Sequence, residues 1–162
     1  MDNSSISPRL FTRRCALGLT AALLAFPRGA VAADGAAVLV HKDPNCGCCS
    51  GWVRHLKEAG FAVKVDETTN LHVVRTRLGV PPDLAACHTA EVSGYVLEGH
   101  VPAAAVRQLL EKRPNAVGLS VPGMPVGSPG MEGGAPERYE VVLFGTSGRQ
   151  TFMRFLGGDI AG

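Results

Sequence analysis

Aromatic residues are scarce in this 162-residue chain, at 6%. Excess charge is scarce too: the formal net charge is +2, too small to suggest nucleic-acid binding, and no basic stripe appears. No apolar run reaches the roughly 18 residues of a membrane span. Phosphate loops, Ser/His/Asp arrangements and internal repeats are missing. No paired carboxylates suggest hydrolysis. Asp66 and Glu67 adjoin at a strand end, where neighbours point to opposite faces, so they read as solvated charges. What is plentiful is hydrophobic residues (46%) over charged ones (19%), the balance of a globular chain rather than a disordered one. The length suits one domain able to bury a core without staples. Twenty Gly and eleven Pro require much turn and loop.

The first thirty residues read as an address. Arg9, Arg13 and Arg14 precede the apolar stretch Cys15–Phe26, and Ala30-Val31-Ala32 matches a small-residue cleavage site. Together these predict a secretory signal peptide over 1–32. The alternatives are an uncleaved anchor or a buried N-terminal helix. Thr12-Arg13-Arg14 hints at twin-arginine export, although Cys15-Ala16 continues that motif poorly; the general secretory route is the other option. Cleavage removes four arginines against one aspartate and leaves 33–162 with a charge of about −1. No membrane span is then expected, and the expected location is the periplasm.

The mature chain reads as strand, helix, strand, helix, strand, strand, helix. Ala37–Lys42 is a strand. From Cys48 to Ala59, Trp52, Val53 and Leu56 fall at helical spacing, and Trp52 reads as core. Phe61–Asp66 alternates as a half-buried strand. Asn70 is placed to cap a helix carrying Leu71, Val74 and Leu78, which Gly79 closes. Thr89–Val92 and Tyr95–Leu97 make a hairpin around Ser93-Gly94, and Pro102 opens a helix to Lys112. That order predicts a thioredoxin-like fold, an α/β two-layer sandwich. Residues 115–137 read as a Gly/Met-rich arm without strand or helix period. Residues 138–156 then read as a C-terminal hairpin that either extends the sheet or stands apart.

After cleavage four cysteines remain: Cys46, Cys48, Cys49 and Cys87. Cys46 and Cys49 have the CxxC redox spacing at a helix start, where free N–H groups and positive potential favour thiolate. In the expected fold the Cys87-His88 loop faces that helix end, bringing four sulfurs and an imidazole together. This is a metal-site composition. Two other readings stay open: a redox site using Cys46/Cys49, and structural staples pairing Cys46 with Cys49 and Cys48 with Cys87. Thiolates suit Zn²⁺, Cu(I) or iron–sulfur clusters. The arm adds Met124 and Met131, whose soft thioethers select Cu(I); their plainer reading is as loop residues over the sheet. His100 ends a strand and is a candidate to face the site. His41 is a weaker candidate, and His55 and His72 read as surface or groove residues on helices.

The runs HKDPNCGCCSGWVRHLKEAGF, CHTAEVSGYVLEGHVPAAAV and AVGLSVPGMPVGSPGMEGG resemble the CopG-like family of exported copper-resistance proteins, long catalogued as a domain of unknown function. The likeness spans about His41 to Gly134. It implies a periplasmic thioredoxin-like fold, Cu(I) bound by the cysteine cluster, and copper handling that extends to redox chemistry. By that match Cys46, Cys48, Cys49 and Cys87 carry over as copper ligands or redox thiols, and His88, His100, Met124 and Met131 lie in the shared motifs.

Two functions follow. The first is a periplasmic protein sequestering Cu(I), with bridging thiolates in a multinuclear cluster as one way to hold several ions. Its partners would be copper ions and other periplasmic copper proteins. The second is a thiol oxidoreductase acting on copper or protein disulfides through Cys46 and Cys49. A blander third is a disulfide-stapled adaptor.

Overall fold

Alternation along the strands decides how this chain layers. Val38 and Val40 on one strand, and Ala90 and Val92 on another, turn the same way and are buried at 1% or less. Trp52 and Leu56, one turn apart on the first helix, pack against that face. The computed structural model describes Met1 and residues 35–162. The expected signal peptide lies outside the described residues.

The elements are β1 (Ala37–Lys42), α1 (Gly47–Glu58), β2 (Ala62–Glu67), α2 (Leu71–Leu78), a 3₁₀ turn (Pro82–Leu84), β3 (His88–Val92), β4 (Tyr95–Glu98), α3 (Ala103–Lys112), β5 (Gly118–Ser120), β6 (Arg138–Gly145), β7 (Gly148–Leu156) and β8 (Asp159–Ala161). The described residues are thus mixed α/β, with three helices on one eight-stranded sheet of order β2-β1-β3-β4-β5-β6-β7-β8. β1 pairs with β2 in parallel, as does β4 with β5. The remaining neighbours are antiparallel.

The hairpin turn between β3 and β4 falls on Ser93 and Gly94, both at positive φ. Gly79 closes α2 in the left-handed conformation, as its position predicts. Asn70 stands at the start of α2, but its side chain makes no capping bond. β2 is an edge strand and largely exposed, so its apolar–polar alternation marks a lightly covered surface rather than a half-buried one.

Two sequence-based expectations are corrected, and an open alternative is decided. First, the helices do not form one layer. α1 and α3 cover the face carrying Val40, Ala90 and Leu97. On the other face Arg75 of α2 meets Glu98 and Arg77 meets Glu91, while Leu78, Val80 and Leu84 pack with Val96 and Phe144. Successive strand residues point to opposite sides, so both faces need cover. Second, the arm is not wholly loop: its opening residues form β5. Of the two readings open for the C-terminal strands, extension of the sheet is the one observed. β5 bridges β4 to β6, so β6, β7 and β8 continue the sheet. Tyr139 and Phe155 stack at 5.6 Å and extend the same core.

β5 is three residues long and gives little periodicity to read. Gly118 is its critical position. A Cβ there would lie 1.9 Å from the Val96 carbonyl oxygen, a backbone atom that cannot yield. Gly118→Ala is therefore expected to part β5 from β4 and cost about 2–4 kcal/mol in urea unfolding.

Candidate metal and thiol site

The site forms where α1 begins. Cys46 is the residue before the helix, and no acidic side chain occupies the first turn. The positive end of the helix therefore faces its own sulfurs. Cys46 and Cys49 are joined in a disulfide, while Cys48 and Cys87 are free. Cys48 Sγ lies 3.5 Å from Cys46 Sγ and 4.0 Å from Cys87 Sγ. Cys49 is fully buried, with its Sγ 3.7 Å from the Cys87 carbonyl oxygen. Four sulfurs thus converge across a sequence gap of about forty residues, all within 4.8 Å of one another.

Two imidazoles stand behind Cys87. His100 Nδ1–H donates to the Pro129 carbonyl at 2.7 Å, which fixes the tautomer and leaves Nε2 with a free lone pair. Cys87 Sγ lies 3.0 Å from that nitrogen. An imidazole oriented by a backbone carbonyl on its far nitrogen is the usual arrangement of a histidine metal ligand. His88 Nδ1 is 3.4 Å from the same sulfur, and its ring packs at a tilt against Trp52, centroids 4.3 Å apart. His88 Nε2 is buried without a hydrogen-bond partner. A buried orphan nitrogen has an explanation in an ion it would bind. Thiols, imidazoles and an unpaired nitrogen are a donor set fit for a soft cation.

Burial shifts these groups together. Cys87 is pushed up to about 12, first by desolvation and then by Cys48. His88 is pushed down to about 3, by desolvation and then by the neighbouring His100 and Arg75. His100 is lowered as well, again chiefly by burial. Metal-free, the pocket therefore holds neutral imidazoles around a protonated Cys87 thiol.

Sequence reasoning missed the group that places Cys87. Glu98, at the end of β4, is fully buried. Its carboxylate accepts from Arg75 Nε at 2.8 Å, the Ala86 N–H at 2.7 Å and Thr89 Oγ1 at 2.6 Å. Arg75 also donates to the Ala86 carbonyl. The residues on both sides of Cys87-His88 are thereby tied to one ion pair. The available signal was a Glu ending an otherwise apolar strand, YVLE. A second omission is His55, whose Nε2 accepts from the Ala103 N–H at 3.0 Å and so caps α3.

The arm docks where the sulfurs are. Pro129 holds His100, and Gly130, at φ +90°, lies against the first turn of α1. A Cβ on Gly130 would be 2.5 Å from the Cys48 carbonyl oxygen, and one on Gly51 would be 2.9 Å from Gly130 Cα. The arm therefore abuts the backbone of α1 directly. Met131 follows it, half-buried, whereas Met124 is 55% exposed. His41 lies on the opposite face of the sheet, between Asp66 at 2.9 Å and Glu91 at 3.0 Å. Asp66 and Glu67 are accordingly not merely solvated: Asp66 meets His41, and Glu67 lies 3.7 Å from Lys42.

Fold and site together define an α/β protein with a cysteine–histidine pocket suited to a soft metal. Residues 84–131 match a family described as a protein of unknown function, DUF411. Two solved structures of "copper resistance protein copG", forms 1 and 2, are each 44% identical to this chain, with a TM-score of 0.71. They cover 76% and 75% of this chain, and 100% and 99% of their own. The chain belongs to this CopG-like copper-resistance family. No curated protein sequence matches it significantly.

Two measurements check this geometry. Glu98→Gln turns an amide against donors and leaves Arg75 facing a neutral group, and is expected to cost about 3–5 kcal/mol in denaturant unfolding. His88 titrates near 6.5 when unfolded and about 3 when folded, so the unfolded chain binds more protons between those values. Metal-free stability should be full above about pH 6.5 and decline toward pH 3, with a limiting slope near 1.4 kcal/mol per pH unit from this residue. His55 and His100 act in the same direction. His88→Phe keeps a ring against Trp52 and should flatten the decline.

Proposed function

We propose that this protein handles copper in the periplasm, holding Cu(I) between the start of α1 and the Cys87 loop. The observation that carries the reading is the 4.0 Å approach of Cys48 and Cys87, with His100 Nε2 turned to the same sulfur. Thiolate and imidazole donors favour Cu(I), and a relative described as a copper resistance protein supports that cargo. Cys46, Cys48, Cys49, Cys87, His88 and His100 are the ligands of the reduced chain. The crowding of four sulfurs within 4.8 Å favours bridged, multinuclear binding. Met131 and Met124 are outer thioether ligands in this reading; the docking of Gly130 on α1 supports Met131 the more strongly.

The remaining features belong to the same proposal. Residues 1–32 act as the export signal, and 33–162 are one domain. Among the described residues no helix is long and apolar enough to cross a membrane. The order β2-β1-β3-β4, with a parallel first pair and a helix starting at a CxxC, supports the thioredoxin-like description. The alternative, a thiol oxidoreductase acting on copper or protein disulfides through Cys46 and Cys49, draws on their disulfide. The free Cys48, Cys87, His88 and His100 packed beside it are not needed for dithiol exchange, and they favour binding.

Anaerobic titration of the reduced protein with Cu(I), against a competing chelator, tests this. More than one equivalent should bind tightly. Cys87→Ser should weaken binding at least about tenfold, since it removes the sulfur shared by both halves of the site. Cys46→Ser/Cys49→Ser should lower the stoichiometry. Tight zinc without a Cu(I) preference would defeat the reading.

A further inference from the structure

The sulfurs form a tight cluster: a closed disulfide, a free thiol against it, and a second free thiol against the first. Cys48 Sγ is 3.5 Å from Cys46 Sγ, and Cys87 Sγ is 4.0 Å from Cys48 Sγ. A thiol in contact with a disulfide sulfur is placed for exchange, which proceeds by thiolate attack through a mixed disulfide. We propose that the oxidised protein carries out an internal disulfide exchange in which Cys48 relays the bond, interconverting a Cys46–Cys49 form and a Cys48–Cys87 form.

The steps balance without any outside oxidant. The Cys48 sulfur attacks Cys46 Sγ, a Cys46–Cys48 bond forms, the Cys46–Cys49 bond breaks, and Cys49 leaves as thiolate and takes up the proton Cys48 lost. The Cys87 sulfur then gives up its proton and attacks Cys48 Sγ. The Cys46–Cys48 bond breaks, and the departing Cys46 thiolate recovers that proton. One disulfide and two thiols are present before and after.

The two forms offer different soft donors at the same oxidation level. In the first, the free pair is Cys48 and Cys87, backed by His100. In the second, Cys87 is bonded to Cys48, and the free pair is Cys46 and Cys49 at the start of α1. The exchange thus selects which half of the pocket presents a dithiol. It concerns the sulfurs alone and does not draw on the copper reading.

Trypsin places Cys46, Cys48 and Cys49 on one peptide, Asp43–Arg54, and Cys87 on another, Leu78–Arg107. The Cys46–Cys49 bond is therefore internal to one peptide, whereas Cys48–Cys87 joins two. Metal-free, singly oxidised protein is incubated at mildly alkaline pH without added thiol. Samples are quenched in acid, alkylated and mapped by mass spectrometry. The joined pair should rise to at least about a tenth of the molecules, at a rate independent of protein concentration. Cys48→Ala, and separately Cys48→Ser, should retain the internal bond and slow formation of any joined pair at least about tenfold. A disulfide that stays wholly within Asp43–Arg54 overturns the proposal, as does a joined pair that forms equally fast in both Cys48 variants. Because no copper is present, loss of the copper reading leaves this outcome unaffected.

Discussion

The buried carboxylate of Glu98 is the constraint on which the pocket depends. Cys87 comes from a loop, and loops place side chains poorly unless their backbone is tied down. Here the tie is ionic and hydrogen-bonded in a low-dielectric setting. Glu98 takes the Ala86 N–H and the Thr89 hydroxyl, and Arg75 of α2 is the third donor. Burial raises the proton affinity of that carboxyl, while these donors pull it back. Such a group is costly to bury and more costly to leave half-paired, so the arrangement is all-or-none. Cys87 therefore sits at a fixed distance from the start of α1.

The second constraint is steric. Two glycines, Gly51 and Gly130, let the arm touch the backbone of α1, and the neighbouring Pro129 carbonyl sets the tautomer of His100. A segment without secondary structure thus orients an imidazole. It is anchored at both ends by strands of one sheet, β5 before it and β6 after it. The C-terminal strands, remote from the sulfurs, hold the arm in place.

Regular periodicity was the most legible part. β1, α1, α3 and the β3–β4 hairpin fall within a residue or two of where spacing and turn chemistry put them. β5 escaped because three residues carry no period, and α2 was legible as a helix although none of its residues is buried. At the pocket, the cysteines and His100 were legible as residue types that seldom cluster idly. Glu98 and Arg75 were not, because a charged residue in a strand or helix reads as surface until its partner is known. The same holds for His41 with Asp66 and Glu91, which are far apart in the chain and adjacent only through strand pairing.

Spacing along the chain determined the helices and strands, the three sulfurs at one helix start and the glycine-rich arm, because these depend on residues near one another in sequence. Tertiary structure alone decided which face each helix covers, that Cys87 meets the start of α1, and how one carboxylate and one carbonyl aim Cys87 and His100. Those outcomes are contacts between segments some ten to forty residues apart, and local preference carries no information about which distant partner a buried polar group will find.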